Sequence, residues 1–316
     1  MLRISVKRET ASDHLHSDDH LFEAEVHEDK LHEGKMSCYL HDYIRVGDKL
    51  QLKGPKGTFT LDATALRPAV LLAGGVGITP MIAMTRQIMS SVIHSRHLRS
   101  LTIIAAAKDA LQRAFFDEFN QLSAQSGGDV RTFWALSQPE STLKLGQDYH
   151  HSGRINKAML QAVLPIDDYD FYLCGPSGFM QSMYDLLRSL GISNARIKAE
   201  EFGPASLQRQ HDQESTTFAP MPTANAAIIE FSKTKVEQAW SASDGTLLEF
   251  AEDHGFRPEF GCRSGQCGAC KTKLLAGKVS YQTDISASLK DDEVLLCCAV
   301  PAAVSGEEVV NIKLEL

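Results

Sequence analysis

The apolar positions change period along the chain. From residue 69 a regular alternation sets in. A short apolar run over 69–73 leads into a helical run from Met81, and strand patterns over 100–106, 130–136, 170–173 and 195–198 alternate with helical ones over 111–122, 156–164 and 177–190. Such alternation predicts a doubly wound parallel sheet with helices on both faces and ligands at the carboxyl ends of its strands. Ahead of it, residues 1–7 alternate like a strand, and 34–61 show short strand signals separated by Gly-Asp and Gly-Pro turns. That pattern predicts the end of a small β-barrel. The intervening stretch, 8–35, is polar and carries His14, His16, His20, His27 and His32 among many acids. Their spacing fits no helix face or compact knuckle, so it reads as a solvated insertion in preference to a metal site. Beyond the alternating region, 206–225 is rich in Gln, Ser, Thr and Pro and reads as a linker to a last domain.

That last domain contains FGCRSGQCGACK over 260–271. Cys262, Cys267 and Cys270 have C-x4-C-x2-C spacing, and Cys297 follows after 26 intervening residues. This is the plant-type arrangement for a 2Fe-2S cluster, in which two irons bridged by two sulfides leave four positions for thiolates. Gly261, Gly265 and Gly268 suit a loop that must turn tightly and aim N–H groups at sulfur. A zinc site would usually add a second C-x2-C or C-x2-H knuckle, and none lies downstream. A disulfide framework suits a small secreted chain, and a Rieske centre needs two histidines in place of cysteines. Cys297 and Cys298 compete for the fourth place, since neighbours on an extended segment face opposite ways. Cys298 otherwise reads as a small buried hydrophobe.

Two turns of the alternating region carry chemistry. Gly74-Gly75-Val76-Gly77-Ile78-Thr79-Pro80 joins the first strand to a helix, with Thr79 expected as N-cap and Pro80 as first helical residue. A glycine-rich turn delivering a helix N-terminus makes an anion site, although such a turn also needs glycine for structural reasons alone. Cys174-Gly175-Pro176 ends another strand. The 316 residues suggest two or three domains. With 43% hydrophobic and 23% charged residues the composition is that of an ordinary globular protein, and a net charge of −8 argues against nucleic acid as a partner. The uncharged run 68–85 is long enough to raise a membrane helix, but three glycines and Pro80 interrupt it. With no membrane span expected and thiols that must stay reduced to hold iron, the expected location is cytoplasmic.

Together these motifs resemble the ferredoxin-NADP reductase superfamily, with the domain order of the phthalate dioxygenase reductase type. The resemblance implies a multidomain α/β plus β fold: a partial flavin-binding β-barrel over 1–66, an NAD(P)-binding α/β domain over 67–205, a linker over 206–225, and a β-grasp ferredoxin domain over 226–316. The order Cys297, Cys298, Ala299, Val300, Pro301 matches the family's last ligand followed by x-Ala-x-Pro, which selects Cys297. By resemblance Gly34, Ser37 and neighbouring Cys38 meet a flavin (FMN or FAD) phosphate. Gly74, Gly75, Gly77, Thr79 and Pro80 meet NADH or NADPH, Cys174, Gly175 and Pro176 line the hydride-transfer site with Thr79, and Glu200 is the acidic residue closing the nucleotide domain. The family's Arg-x-Tyr-Ser flavin motif is absent from the sequence, which starts inside the expected barrel and so reads as a fragment or as a chain with an incomplete flavin site.

The implied function is an NAD(P)H-dependent oxidoreductase passing electrons through flavin to a 2Fe-2S cluster and on to a protein acceptor such as an oxygenase or demethylase. The alternative is a non-enzymatic 2Fe-2S electron carrier on a truncated, flavin-free reductase scaffold. Residues 226–316 hold 14 acidic against 9 basic side chains, so the expected acceptor presents a basic docking patch.

Overall fold

The computed structural model describes residues 4–8, 34–52, 57–91, 98–202, 207–210, 212, 221–263, 265, 267–281, 285, 287 and 289–316. The chain divides into two compact units, Met1–Gly54 and Pro55–Leu316.

In the first unit the described residues hold one helix, α1 (Lys35–Asp42), and no strand, where barrel strands were expected. The segment satisfies itself locally. Cys38 N–H and Ser37 Oγ–H both donate to Gly34 O at 2.9 Å, and Tyr39 stacks on Tyr43 one turn later with ring centroids 5.6 Å apart. A strand needs a neighbour for its backbone groups and a helix does not. With no pairing partner among the described residues here, the helix wins. The Gly-Asp turn forms as expected: Asp48 N–H donates to Arg45 O at 3.1 Å, and Gly47 has φ +105°. The five histidines of the polar stretch and the Gly-Pro turn lie outside the described residues.

The second unit begins with a six-stranded sheet, β1 (Ala69–Gly74), β2 (Leu101–Ala107), β3 (Val130–Leu136), β4 (His151–Ser152), β5 (Asp170–Gly175) and β6 (Ile197–Glu201). All pairs are parallel, in the order β4-β3-β2-β1-β5-β6. Helices α2 (Ile78–Ser91), α3 (Phe116–Gln125), α4 (Lys157–Val163) and α5 (Ser177–Ser189) supply the cover that parallel strands require. Alternation along each strand separates two cores. Leu71, Ala73, Ile103, Tyr172 and Cys174 face one side with Met81 and Phe119, whereas Val70, Leu72, Ile104 and Leu173 face the other with Met180 and Tyr184. Leu61, read from sequence as the barrel's end, is buried in the first of these cores. Strand β4 is only two residues long and gives no periodic signal.

The remainder forms a mixed five-stranded sheet in the order β11-β9-β13-β7-β8, from β7 (Ala226–Phe231), β8 (Val236–Ser241), β9 (Lys271–Ala276), β11 (Glu293–Leu295) and β13 (Val310–Leu314). A separate pair joins β10 (Val279–Tyr281) to β12 (Ala299–Pro301). Only β13 and β7 run parallel. Helix α6 (Leu247–Asp253) starts on a Thr246–Glu249 capping box and buries Leu247, Leu248, Phe250 and Ala251. Phe231 lies between Phe250 and Phe256, and Trp240 Nε1–H donates to Gly245 O at 3.1 Å. A helix packed on a mixed sheet is the β-grasp plan.

In the stretch expected as a linker, the described residues at both ends are hydrogen-bonded. The Gln181 amide pairs with both backbone groups of Gln208 (2.9 and 3.2 Å), the Tyr184 hydroxyl does the same with Gln210 (2.7 and 3.2 Å), and Arg188 binds Asp212 at 2.5 Å. Residues 208, 210 and 212 thus meet successive turns of α5, because two extended residues advance about as far as one helical turn. At the other end Ala224 N–H donates to Pro301 O and Ser280 Oγ–H to Met221 O.

Arg99 anchors the amino end of the parallel sheet. Its side chain is 1% exposed, and it donates to Arg67 O at 2.7 Å, Asp62 O at 2.8 Å and the Asp170 carboxylate at 2.5 Å. Arg99→Ala leaves a large buried void and two carbonyls without their donor, and it takes from Asp170 its closest guanidinium, Arg196 remaining at 3.0 Å. It should lower unfolding stability by about 3–5 kcal/mol, measured by urea denaturation.

Candidate functional site

The strand order places the topological switch of the sheet between β1 and β5, because the chain builds outward from β1 on one side and then from β5 on the other. A crevice for a ligand opens at the carboxyl ends of such a pair. Both glycine turns lie there. Gly75, at φ +52°, starts a tight turn over Gly75–Gly77 whose carbonyls accept from Ile78 N–H. The helix therefore begins at Ile78 with its cap made by backbone, and Thr79 is its second residue and Pro80 its third, where Thr79 was expected as N-cap. A Cβ on Gly77 would stand 2.1 Å from Cys174 O, and one on Gly175 would stand 3.1 Å from Gly74 Cα. The two turns touch backbone to backbone, so α2 and α5 start side by side. The positive dipole ends of such helices suit a pyrophosphate, with Ile78 N–H already bonded in α2 and Pro80 offering none. The Phe179 ring lies against both Gly74 and Gly175, 2.8 and 2.7 Å from where their Cβ atoms would be. Beside the start of α5 opens a cavity of about 270 Å³ lined by Ser177, Gly178, Gln181 and Glu201.

Cys174 is fully buried and sits between Ala73 and Glu200 in the register of three adjacent strands. Burial, then the Glu200 charge, raises its pKa well above the usual thiol range, so it stays neutral at physiological pH. Burial likewise raises Glu200. Gly34, Ser37 and Cys38 belong to the first unit, at the start of α1.

In the β-grasp domain the cysteines come together through pairing of β9 with β11. Lys271 is opposite Leu295, and Leu296 N–H donates to Cys270 O, which sets Cys270 beside Cys297. Leu248 N–H at the start of α6 also holds Leu296 O, at 2.9 Å. The four sulfurs form two pairs. Cys262 and Cys267 each donate a backbone N–H to the other's sulfur at 3.3 Å, and the Cys270 and Cys297 side chains bond to each other. Further N–H groups reach Cys267 from Ala269 at 3.4 Å and Cys297 from Gly265. Gly265 and Gly268 have φ +75° and +69°, and a Cβ on Gly261 would stand 2.8 Å from Cys267 Sγ. Arg263, at φ +55° within the loop, binds Glu252 of α6 at 2.6 Å and covers the Phe260 ring. The bond with Cys297, then burial, raises the Cys270 pKa. At Cys297 the bond from Cys270 works downward, but the Cys298 sulfur and burial outweigh it and push the thiol up to about 12. Such thiols give up their protons to iron. Paired sulfurs ringed by N–H donors suit a cluster of two irons.

Residues 71–185 match the oxidoreductase NAD-binding domain family, and residues 232–302 match the 2Fe-2S iron-sulfur cluster binding domain family. The chain joins an NAD-binding oxidoreductase domain to a 2Fe-2S domain. Both matches fall where the glycine turns and the cysteine loop lie. The chain is 36% identical over 171 residues to a flavohemoprotein of Rhizobium meliloti (strain 1021), covering 54% of this chain and 41% of that protein. It is 35% identical over 202 residues to a flavohemoprotein of Chromobacterium violaceum, covering 64% and 45%. It thus spans less than half the length of these curated relatives. Among solved structures, an intact type IV self-sufficient cytochrome P450 monooxygenase shares the fold over 89% of this chain and 31% of that one, at 22% identity and a TM-score of 0.57.

The structure brings Gly74, Gly75, Gly77, Cys174, Gly175 and Glu200 into one region and the four cysteines into another. Phe179 and the Gly265 N–H escaped sequence reading. An aromatic five residues past a strand-ending cysteine is a weak signal, and a backbone donor leaves none. Gly77→Ala drives a methyl into the Cys174 carbonyl and should separate β1 from β5. We expect about 3 kcal/mol of destabilisation and weakened NAD(H) binding, measured by thermal unfolding and by nucleotide titration.

Proposed function

We propose that this chain takes electrons from NADH or NADPH and delivers them through a flavin and a 2Fe-2S cluster held by Cys262, Cys267, Cys270 and Cys297 to a protein acceptor, such as an oxygenase or demethylase component. The observation that carries this reading is the contact of two glycine turns at a sheet switch point, on one chain with a two-pair cysteine loop. Hydride brings two electrons and the cluster accepts one, and a flavin, FMN or FAD, reconciles them. The chain's own residues bind and orient. The Gly74–Gly77 turn and the start of α5 would hold the pyrophosphate, and Cys174, Gly175 and Thr79 would line the nicotinamide, with Gly34, Ser37 and Cys38 meeting the flavin phosphate. Held neutral by burial, Cys174 would take no proton during the transfer. Proximity and orientation are the contribution asked of it. The assignment of domains is 67–205 for nucleotide, 206–225 for linker and 226–316 for the cluster.

A second reading, an electron carrier on a flavin-free scaffold, draws support from helix α1 standing where barrel strands were expected. Visible absorption of the purified chain before and after anaerobic NADH or NADPH separates the two. Flavin and cluster bands that both bleach are expected. Cluster bands alone, unchanged by nucleotide, would favour the carrier.

The β-grasp domain carries 14 acidic and 9 basic side chains. Opposite charge on the acceptor would steer encounter, so the rate of acceptor reduction should fall several-fold as ionic strength rises from about 0.01 to 0.15 M, where the screening length shrinks from about 30 to 8 Å. A flat stopped-flow salt profile would remove the electrostatic docking.

A further inference from the structure

We infer that Cys298 is a reserve ligand of the cluster site, able to take the iron bond of Cys297. The inference rests on the reading of the cysteine loop as a 2Fe-2S site. Residues 296–298 form a turn closed by Cys298 N–H to Leu295 O at 3.2 Å, not the extended segment expected from sequence. On an extended segment the two side chains would face apart. In the turn they converge, with sulfurs 3.5 Å apart, and both residues are buried, 7% and 5% exposed.

Both sulfurs also meet the same point of the loop. Gly265 N–H donates to Cys297, and a Cβ on Gly265 would stand 3.0 Å from Cys298 Sγ. The absence of a side chain at Gly265 is what leaves room for two sulfurs. Rotation about the Cα–Cβ bond between staggered positions carries a cysteine sulfur through about 3 Å, close to the separation observed. Loss of the Cys297 sulfur would vacate a volume that the Cys298 sulfur can enter. In that exchange the Cys298 S–H bond breaks, its proton passes to solvent, and the thiolate lone pair forms the bond to iron that Cys297 no longer makes. No electron is transferred. If Cys298 were only a small buried hydrophobe, removing Cys297 would leave the iron with three thiolates.

The test compares the full chain with Cys298→Ala, Cys297→Ala, Cys297→Ser and the double Cys297→Ala/Cys298→Ala, all purified without air. Iron and sulfide per chain, visible absorption and low-temperature electron paramagnetic resonance of the reduced protein are read, and far-ultraviolet ellipticity confirms folding. Cys298→Ala is expected to keep its full iron content. Cys297→Ala should retain a cluster with shifted resonance and midpoint potential, and the double variant should lose it. Cys297→Ser preserves packing if the alanine variant misfolds. An all-sulfur absorption spectrum from it supports exchange, and a blue-shifted, oxygen-ligated one overturns it. Equal iron loss in Cys297→Ala and the double variant overturns the inference, as does loss of the cluster from Cys298→Ala alone. Folded wild-type chain without iron would instead overturn the cluster reading itself.

Discussion

Gly77 packs so closely on the Cys174 carbonyl that a single methyl would stand 2.1 Å from its oxygen. This backbone contact holds the carboxyl ends of β1 and β5 together, and the nucleotide half of the protein depends on it. Two helices begin at that junction, each bringing the positive end of its dipole there. Phe179 closes the junction from the helix side by resting on Gly74 and Gly175. At the opposite end of the same strands Arg99, nearly inaccessible to water, binds two loop carbonyls and Asp170. The sheet is thus clamped at both ends, tightly by absent side chains where ligands would enter and by a charged one where they would not.

The β-grasp domain solves a different problem, bringing a distant cysteine back to a loop. Register between β9 and β11 does this, with the amino end of α6 holding the returning turn through Leu296. Arg263 ties the loop to α6 through Glu252, which compensates a non-glycine residue in left-handed backbone.

Much of this was legible beforehand because the relevant signals are local. A parallel sheet buried on both faces must be written in apolar runs, and those at 69–73, 130–136 and 170–173 fall within a residue or two of the strands. Cysteine spacing and glycine turns are local as well. The α1 segment misled because its short strand signals find no pairing partner among the described residues, and a strand without a partner is worth less than a helix that satisfies itself. Thr79 misled because backbone carbonyls from Gly75 and Val76 made the cap that a side chain was expected to make.

By itself, then, the order of residues determined which elements form, that thiols at fixed spacing would face a cluster, and that glycines would stand where chains approach. Tertiary structure alone decided what those glycines approach, that Cys297 and Cys298 share a turn and one side, and that Gln208, Gln210 and Asp212 lie along α5. The physical reason is range. Periodicity and turn chemistry act over a few residues and are written in them, whereas contact between Gly77 and Cys174, or between Gly265 and Cys298, joins positions whose separation in sequence carries no trace of their distance in space.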